Sequence, residues 1–142
     1  MKLVKHLLDA KGHDVETISP DATVLDAVKI MAEKSIGALV ILDGDKLAGL
    51  VSERDYARKV ILMGRGSDDT PVSAIMRSDL ATAHSGSTLQ ECMSMVTEGR
   101  VRHLPVVDDG KVVGIISIGD LVKAIMAEQQ AEIEQLGQYI SG

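Results

Sequence analysis

Phenylalanine and tryptophan are absent from these 142 residues, and tyrosine occurs only at positions 56 and 139. With so few flat rings there is no stacking platform for unpaired bases. The formal charge of −6 likewise leaves no clustered lysine and arginine surface for a phosphate backbone. Both absences argue against a nucleic-acid partner. Cys92 stands alone, so no intrachain disulfide can form, and it reads as a small core residue. His6, His13, His84 and His103 have no ligand spacing with that cysteine, so a zinc site has no support and no metal is expected. Long apolar runs are missing too. The opening MKLVKHLLDAKG is interrupted by Lys5 and His6, too short for a signal peptide or a membrane span, which makes a cytoplasmic location the expectation and excludes a membrane partner. There is no Walker phosphate loop and no GxSxG, so an enzyme is not expected. What remains is 45% hydrophobic and 25% charged, the balance of a soluble globular chain whose core must be filled by Val, Ile, Leu, Ala and seven Met.

What the chain does have is repetition. GLVSERD, Gly49 to Asp55, returns as GIISIGD, Gly114 to Asp120, an offset of 65 positions. The same offset pairs Thr17 with Thr82, Thr23 with Thr88, Leu39 with Leu104 and Asp43 with Asp108. One register running through both halves marks an internal duplication.

Each copy reads strand, helix, strand, strand, helix, an α+β arrangement. Val15 to Ser19 suits an extended segment. Thr23 then caps a helix with Asp26 as its reciprocal carboxylate, and Thr88 with Glu91 repeats the pattern. Ala38 to Leu42 and Leu47 to Val51 are apolar runs around an Asp-Gly-Asp turn, the mark of a buried hairpin, and Leu104 to Val107 with Val112 to Ile116 is its copy. Apolar-periodic helices follow at Tyr56 to Leu62 and Leu121 to Met126. A short amphipathic helix over residues 2 to 8 is expected to pack on the first repeat, with Val72 to Met76 as its counterpart. The expected divisions are 1–64 for the first repeat with its helix, 65–71 for a linker rich in turn formers, 72–126 for the second repeat and 127–142 for a helical extension. Along that extension Val122, Met126, Gln129, Ile133, Leu136 and Ile140 form an apolar stripe at alternating spacings of four and three, suited to covering a partner or folding back on its own domain.

Ser52 and Asp55, repeated as Ser117 and Asp120, have the spacing of a helix capping box, which needs no ligand. Three features favour binding instead. The motif leaves a buried strand, Gly49 or Gly114 permits close backbone approach, and the layout occurs twice. A helix start offers free N–H groups to an anion, while an ionised carboxylate accepts two hydrogen bonds from a ribose diol. Hydroxyl and carboxylate together describe a nucleotide site.

The stretches VETISPDATVLDAVKIM from Val15, IGALVILDGDKLAGLVSERDYAR from Ile36 and RVRHLPVVDDGKVVGIISIGDLV from Arg100 resemble the tandem CBS domains, whose pairs form the Bateman module. The resemblance covers residues 1 to 126. It implies two βαββα units related by a pseudo-twofold axis, with two clefts between them that hold adenosyl compounds: AMP or ATP foremost, and ADP, NAD or S-adenosylmethionine as alternatives. It implies that Asp55 and Asp120 grip the ribose hydroxyls and that Ser52 and Ser117 reach ribose or phosphate. Thr17 and Thr82 would lie beside adenine. Ile36, Gly37 and Ala38 in one half, and Arg102, His103, Leu104 and Pro105 in the other, would line the clefts. Arg54 stands between the first Ser and Asp, where the second copy has Gly119, so unequal affinities are expected. The function implied is a non-catalytic sensor that reports nucleotide occupancy to an unidentified regulated protein, and that pairs as a homodimer. The alternative is a dimerisation or docking module whose Ser-x-x-Asp motifs are only helix caps.

Overall fold

The computed structural model describes residues 2–141. Its order is α1 (Val4–Lys11), β1 (Thr17–Ile18), α2 (Val24–Lys34), β2 (Ala38–Asp43), β3 (Lys46–Ser52), α3 (Glu53–Tyr56) running into a π-helical turn (Ala57–Ile61), a 3-10 turn (Val72–Ala74), α4 (Leu89–Gly99), β4 (His103–Asp108), β5 (Lys111–Ser117) and α5 (Ile118–Ser141). The chain divides into two compact units. One holds Asp14–Leu80 with Asp109–Val112. The other holds the segment up to His13, Ala81–Asp108 and the chain from Val113 onward.

In the first-repeat unit β1 runs parallel to β2, and β2 pairs with β3 antiparallel from Ala38↔Ser52 to Asp43↔Lys46. The two-residue turn is closed by Gly44 at φ 63°. The register slips between Ile41 and Leu42, a bulge that leaves Ala48 without an opposite number. The core gathers Val24, Ala27 and Met31 of α2 with Leu39, Ile41, Val51, Val60, Val72 and Ile75. The α2 stripe buries because its apolar residues recur at spacings of three and four, and Thr23 starts the helix as a full capping box with Asp26.

The second-repeat unit repeats this plan with two changes. Its first strand shrinks to a single parallel bridge, Ala83↔Val106, and its sheet is the β4–β5 pair. Proline explains the loss. Val40 donates its N–H to Glu16 O at 3.2 Å, whereas the matching residue 65 positions on is Pro105, which has no N–H to give. The cap of α4 is also halved. Thr88 Oγ1 accepts from Glu91 N at 3.1 Å, but the reciprocal bond expected from Glu91 is not made, and Thr88 pairs instead with Leu3 in an antiparallel bridge.

That bridge corrects the placement of the first helix. Val4, Leu7 and Leu8 pack into the second-repeat core, with Leu89, Cys92, Val96, Leu104, Val106, Ile116 and Leu121. Conversely Val72 and Ile75, expected to serve the second repeat, belong to the first-repeat core and form only a 3-10 turn. The backbone drives the exchange, since Val4 N and Lys5 N donate to Ser87 O and Ser85 O at 2.8 and 3.0 Å, while Val72 N donates to Ala22 O at 2.8 Å. Cys92 is a buried core thiol as expected, pushed up to about 11 by burial and by Glu91 beside it.

Two further expectations change. The helix expected from Tyr56 begins at Glu53, directly after the cap, and widens to π geometry over Ala57–Ile61. The extension expected from residue 127 is no separate element, because α5 runs unbroken over 24 residues. Val122, Met126, Ile133, Leu136 and Ile140 of its stripe are exposed, so the stripe does not fold back on its own domain.

Candidate functional site

Each Ser–Asp pair sits where a strand ends and a helix begins, and each closes a cap. At the end of β3, Ser52 N and Ser52 Oγ both donate to Asp55 Oδ2 at 3.0 Å, and Asp55 N donates back to Ser52 Oγ at 3.2 Å. Lys59 Nζ lies 3.4 Å from the other oxygen, Oδ1, and also donates to Ile75 O at 3.0 Å. The Asp55 side chain is 10% exposed, with both oxygens engaged.

The end of β5 is built differently. Ser117 N donates to Asp120 Oδ2 at 2.9 Å and Asp120 N donates to Ser117 Oγ at 3.0 Å. The lysine here comes from far along the chain. Lys11 Nζ, at the C-terminal end of α1, bonds Asp120 Oδ2 and donates to Ile115 O at 2.7 Å. The Lys11 and Ser117 N–H donors both fall on Asp120 Oδ2, so no N–H among the described residues bonds Oδ1, and the Ser117 hydroxyl also interacts with this carboxylate. The Asp120 side chain is 27% exposed. Burial alone pushes its carboxyl up, but the Lys11 ammonium, the Ser117 N–H and the Ser117 hydroxyl outweigh that and hold it below the usual carboxylate range.

The residues before β2 and β4 anchor these helix starts through backbone. Gly37 O accepts from Glu53 N at 3.1 Å, and Arg102 O accepts from Ile118 N at 2.9 Å. The Arg102 side chain is exposed, and His103 is half-buried with no side-chain hydrogen bond among the described residues. Burial holds His103 below the usual imidazole range, helped by Lys11 and Arg102 and opposed by Asp120. The other expected residues scatter. Thr17, Thr82 and Arg54 are exposed and make no side-chain hydrogen bond or ion pair among the described residues. Ile36 is half-buried against the first-repeat core, Ala38 and Pro105 are buried, and Leu104 is a wholly buried member of the second-repeat core.

The two glycines serve packing rather than a ligand. A Cβ on Gly49 would lie 2.6 Å from Arg77 O and 2.9 Å from Met76 Sδ, and one on Gly114 would lie 2.7 Å from a Leu8 methyl. The close approach expected of them is made by the chain itself. Sequence reasoning missed both lysines. Lys59 had a readable signal, since it stands four residues after Asp55 on one helical face. Lys11 had none, lying 109 positions from Asp120. A surface groove of about 380 Å³ runs along later turns of α5, lined by Lys2, Glu128, Glu132 and Gln138 among others, and neither Ser–Asp pair borders it.

Comparison with known proteins places this geometry. A mitochondrial CBS domain-containing protein of Arabidopsis thaliana, CBSX3, is 41% identical over 86% of the chain, and the chain spans 62% of its length. The CBS domain-containing protein YhcV of Bacillus subtilis is 30% identical over 87% of each. Among solved structures, a CBS domain protein designated NE2398 shares 49% identity with a TM-score of 0.84, covering 88% of this chain and 98% of its own. A candidate signal-transduction protein with CBS domains from Burkholderia ambifaria shares 48% with a TM-score of 0.86, covering 90% and 96%. The CBS domain model itself matches twice, over residues 7–61 and 72–127, and the chain therefore belongs to the CBS-domain family as a tandem pair.

Proposed function

We propose that this CBS pair is a non-catalytic sensor that binds an adenosyl nucleotide and reports its occupancy to a protein partner. AMP and ATP are the foremost ligands, with ADP, NAD(H) and S-adenosylmethionine as further members of the class. The observation that carries this reading is the Asp120 corner. It presents, at the start of a long helix, a carboxylate oxygen that no N–H of the described residues bonds, with a serine hydroxyl beside it. A ribose diol donates two hydrogen bonds, and an ionised carboxylate is the side chain that accepts them. Ser52 and Asp55 repeat the layout at the other corner. Thr17 and Thr82 would contact adenine, and Arg54, Arg102 and His103 would contact phosphate, with Ile36, Gly37, Ala38, Leu104 and Pro105 shaping the surroundings. Family membership and the signal-transduction description of a 48% identical neighbour support a regulatory role.

Binding shifts an equilibrium between conformations only by the difference in affinity for them, so the signal to the partner is set by that difference. Calorimetric titration of nucleotide-free protein with AMP, ADP, ATP, NAD, NADH and S-adenosylmethionine tests the reading. Heat with at least one is expected; silence across all would reject it.

A second reading has its own observation. Both Ser–Asp pairs do cap helices, and α5 exposes Val122, Met126, Ile133, Leu136 and Ile140. A dimerisation or docking module would need no more, with a second copy of the chain as the expected occupant. The two readings part in a thermal shift screen, because a ligand at one hundred times its Kd adds about 2.7 kcal/mol to stability, and a docking module gains nothing.

A further inference from the structure

Lys11 is the least expected member of the Asp120 corner. An ammonium has three N–H donors. Two are used, on Ile115 O and Asp120 Oδ2, and the third has no acceptor among the described residues, on a side chain that is one-third exposed. The ammonium is fixed by those bonds, unlike a surface lysine that swings freely. It also neutralises the carboxylate that would otherwise repel an anionic ligand approaching its free oxygen.

Nothing equivalent exists by duplication. The position 65 residues after Lys11 is Met76, and the position 65 after Lys59 is Ala124. Lys59 closes the remaining oxygen of Asp55, whereas Lys11 shares the oxygen already bonded by Ser117 N and leaves Oδ1 open. One corner is thereby sealed, and the other is left with a fixed cation beside an open acceptor.

We infer that Lys11 is a ligand-charge-reading residue of the Asp120 corner, selecting phosphorylated adenosyl ligands over neutral adenosine and over the cationic sulfonium of S-adenosylmethionine. This rests on the sensor reading and narrows it. The diol meets Asp120 Oδ1, and the free N–H of Lys11 meets an anionic oxygen of the same ligand. Burial is what lowers His103 most, with Lys11 and Arg102 adding to it and Asp120 opposing.

The test measures dissociation constants for AMP, adenosine and S-adenosylmethionine at one ionic strength, in the full chain and in Lys11→Met, Lys11→Arg and Lys5→Met. Lys5 is an exposed lysine of the same helix and controls for the loss of one charge. Lys11→Met should weaken AMP about tenfold while moving adenosine by less than about threefold, and should narrow the gap between AMP and S-adenosylmethionine. Lys11→Arg should keep the preference for AMP, and Lys5→Met should leave all three constants alone. Equal weakening of AMP and adenosine would mark Lys11 as a tether only and overturn the inference, as would no change in either. Wild-type protein that binds none of the three would overturn this inference, and the sensor reading would fall with it only if ADP, ATP and NAD(H) were silent as well.

Discussion

The two strand-exit corners descend from one motif and have diverged in what closes them. Asp55 is held from its own helix, by a lysine one turn away, with its carboxylate accepting from Ser52 N, Ser52 Oγ and Lys59. Asp120 is held from a distant helix, by Lys11, and keeps one oxygen that no N–H of the described residues bonds. A carboxylate that is already satisfied is a structural element. One that is half satisfied has capacity for a ligand. Duplication supplied two copies, and the lysines close one carboxylate more fully than the other.

The largest test of that contrast is stability. Asp55→Ala removes the acceptor of Ser52 N–H and Ser52 Oγ at a buried helix start, and should cost about 2–3 kcal/mol. Asp120→Ala acts at a more open corner and should cost about 1 kcal/mol. Urea denaturation midpoints measure both, and equal losses would erase the distinction.

The glycines come next. Gly49→Ala drives a methyl into the carbonyl of Arg77, which is fixed by its exchange of hydrogen bonds with Leu50 at 2.8 and 2.9 Å, for a cost of about 2–3 kcal/mol. Gly114→Ala meets only the end of the Leu8 side chain, which can shift, for about 1 kcal/mol. Thermal melts of the two variants would rank them.

Titration sharpens the contrast more gently. His103 is depressed in the fold, so the unfolded chain takes up its proton first. Stability from this group is present above about pH 6.5, the ordinary imidazole value, and falls as pH drops below it. Asp120 is also depressed, so its contribution is present above the ordinary carboxylate value near pH 4 and is lost as pH falls further through its folded value. His103→Gln should flatten the upper part of this acid loss and leave the lower part, read from melting temperature against pH. Smallest in stability is truncation after Ala127. The removed turns expose their apolar side chains, so the fold should melt within about 1 kcal/mol of the full chain. On the docking reading, light scattering should report a drop from dimer to monomer; an unchanged mass would remove α5 as the adhesive.

Much of this was legible in the residues. Hairpins, caps and the duplicated register follow from local pattern, because strand alternation, turn glycine and capping spacing are short-range properties. The partners of α1 and of the 72–74 turn were not legible, since either repeat offers a glycine for a helix to lie on, and only tertiary hydrogen bonds choose. Pro105 could have warned that the second copy would lose its first strand, because the missing donor is visible once Val40 is aligned with it. Lys11 was invisible for a different reason. Its partner is 109 positions away and belongs to no motif, so only the folded chain brings the two charges together.

The length of α5 has a mechanical consequence. At 1.5 Å per residue its 24 residues make a rod about 36 Å long, with Asp120 in the opening turn and Ile140 almost at the far tip. A tilt of about 5° at the base of such a rod carries the tip through about 3 Å, most of a side chain's width. Whatever grips the tip would feel as a displacement what the base registers as a change in a single hydrogen bond.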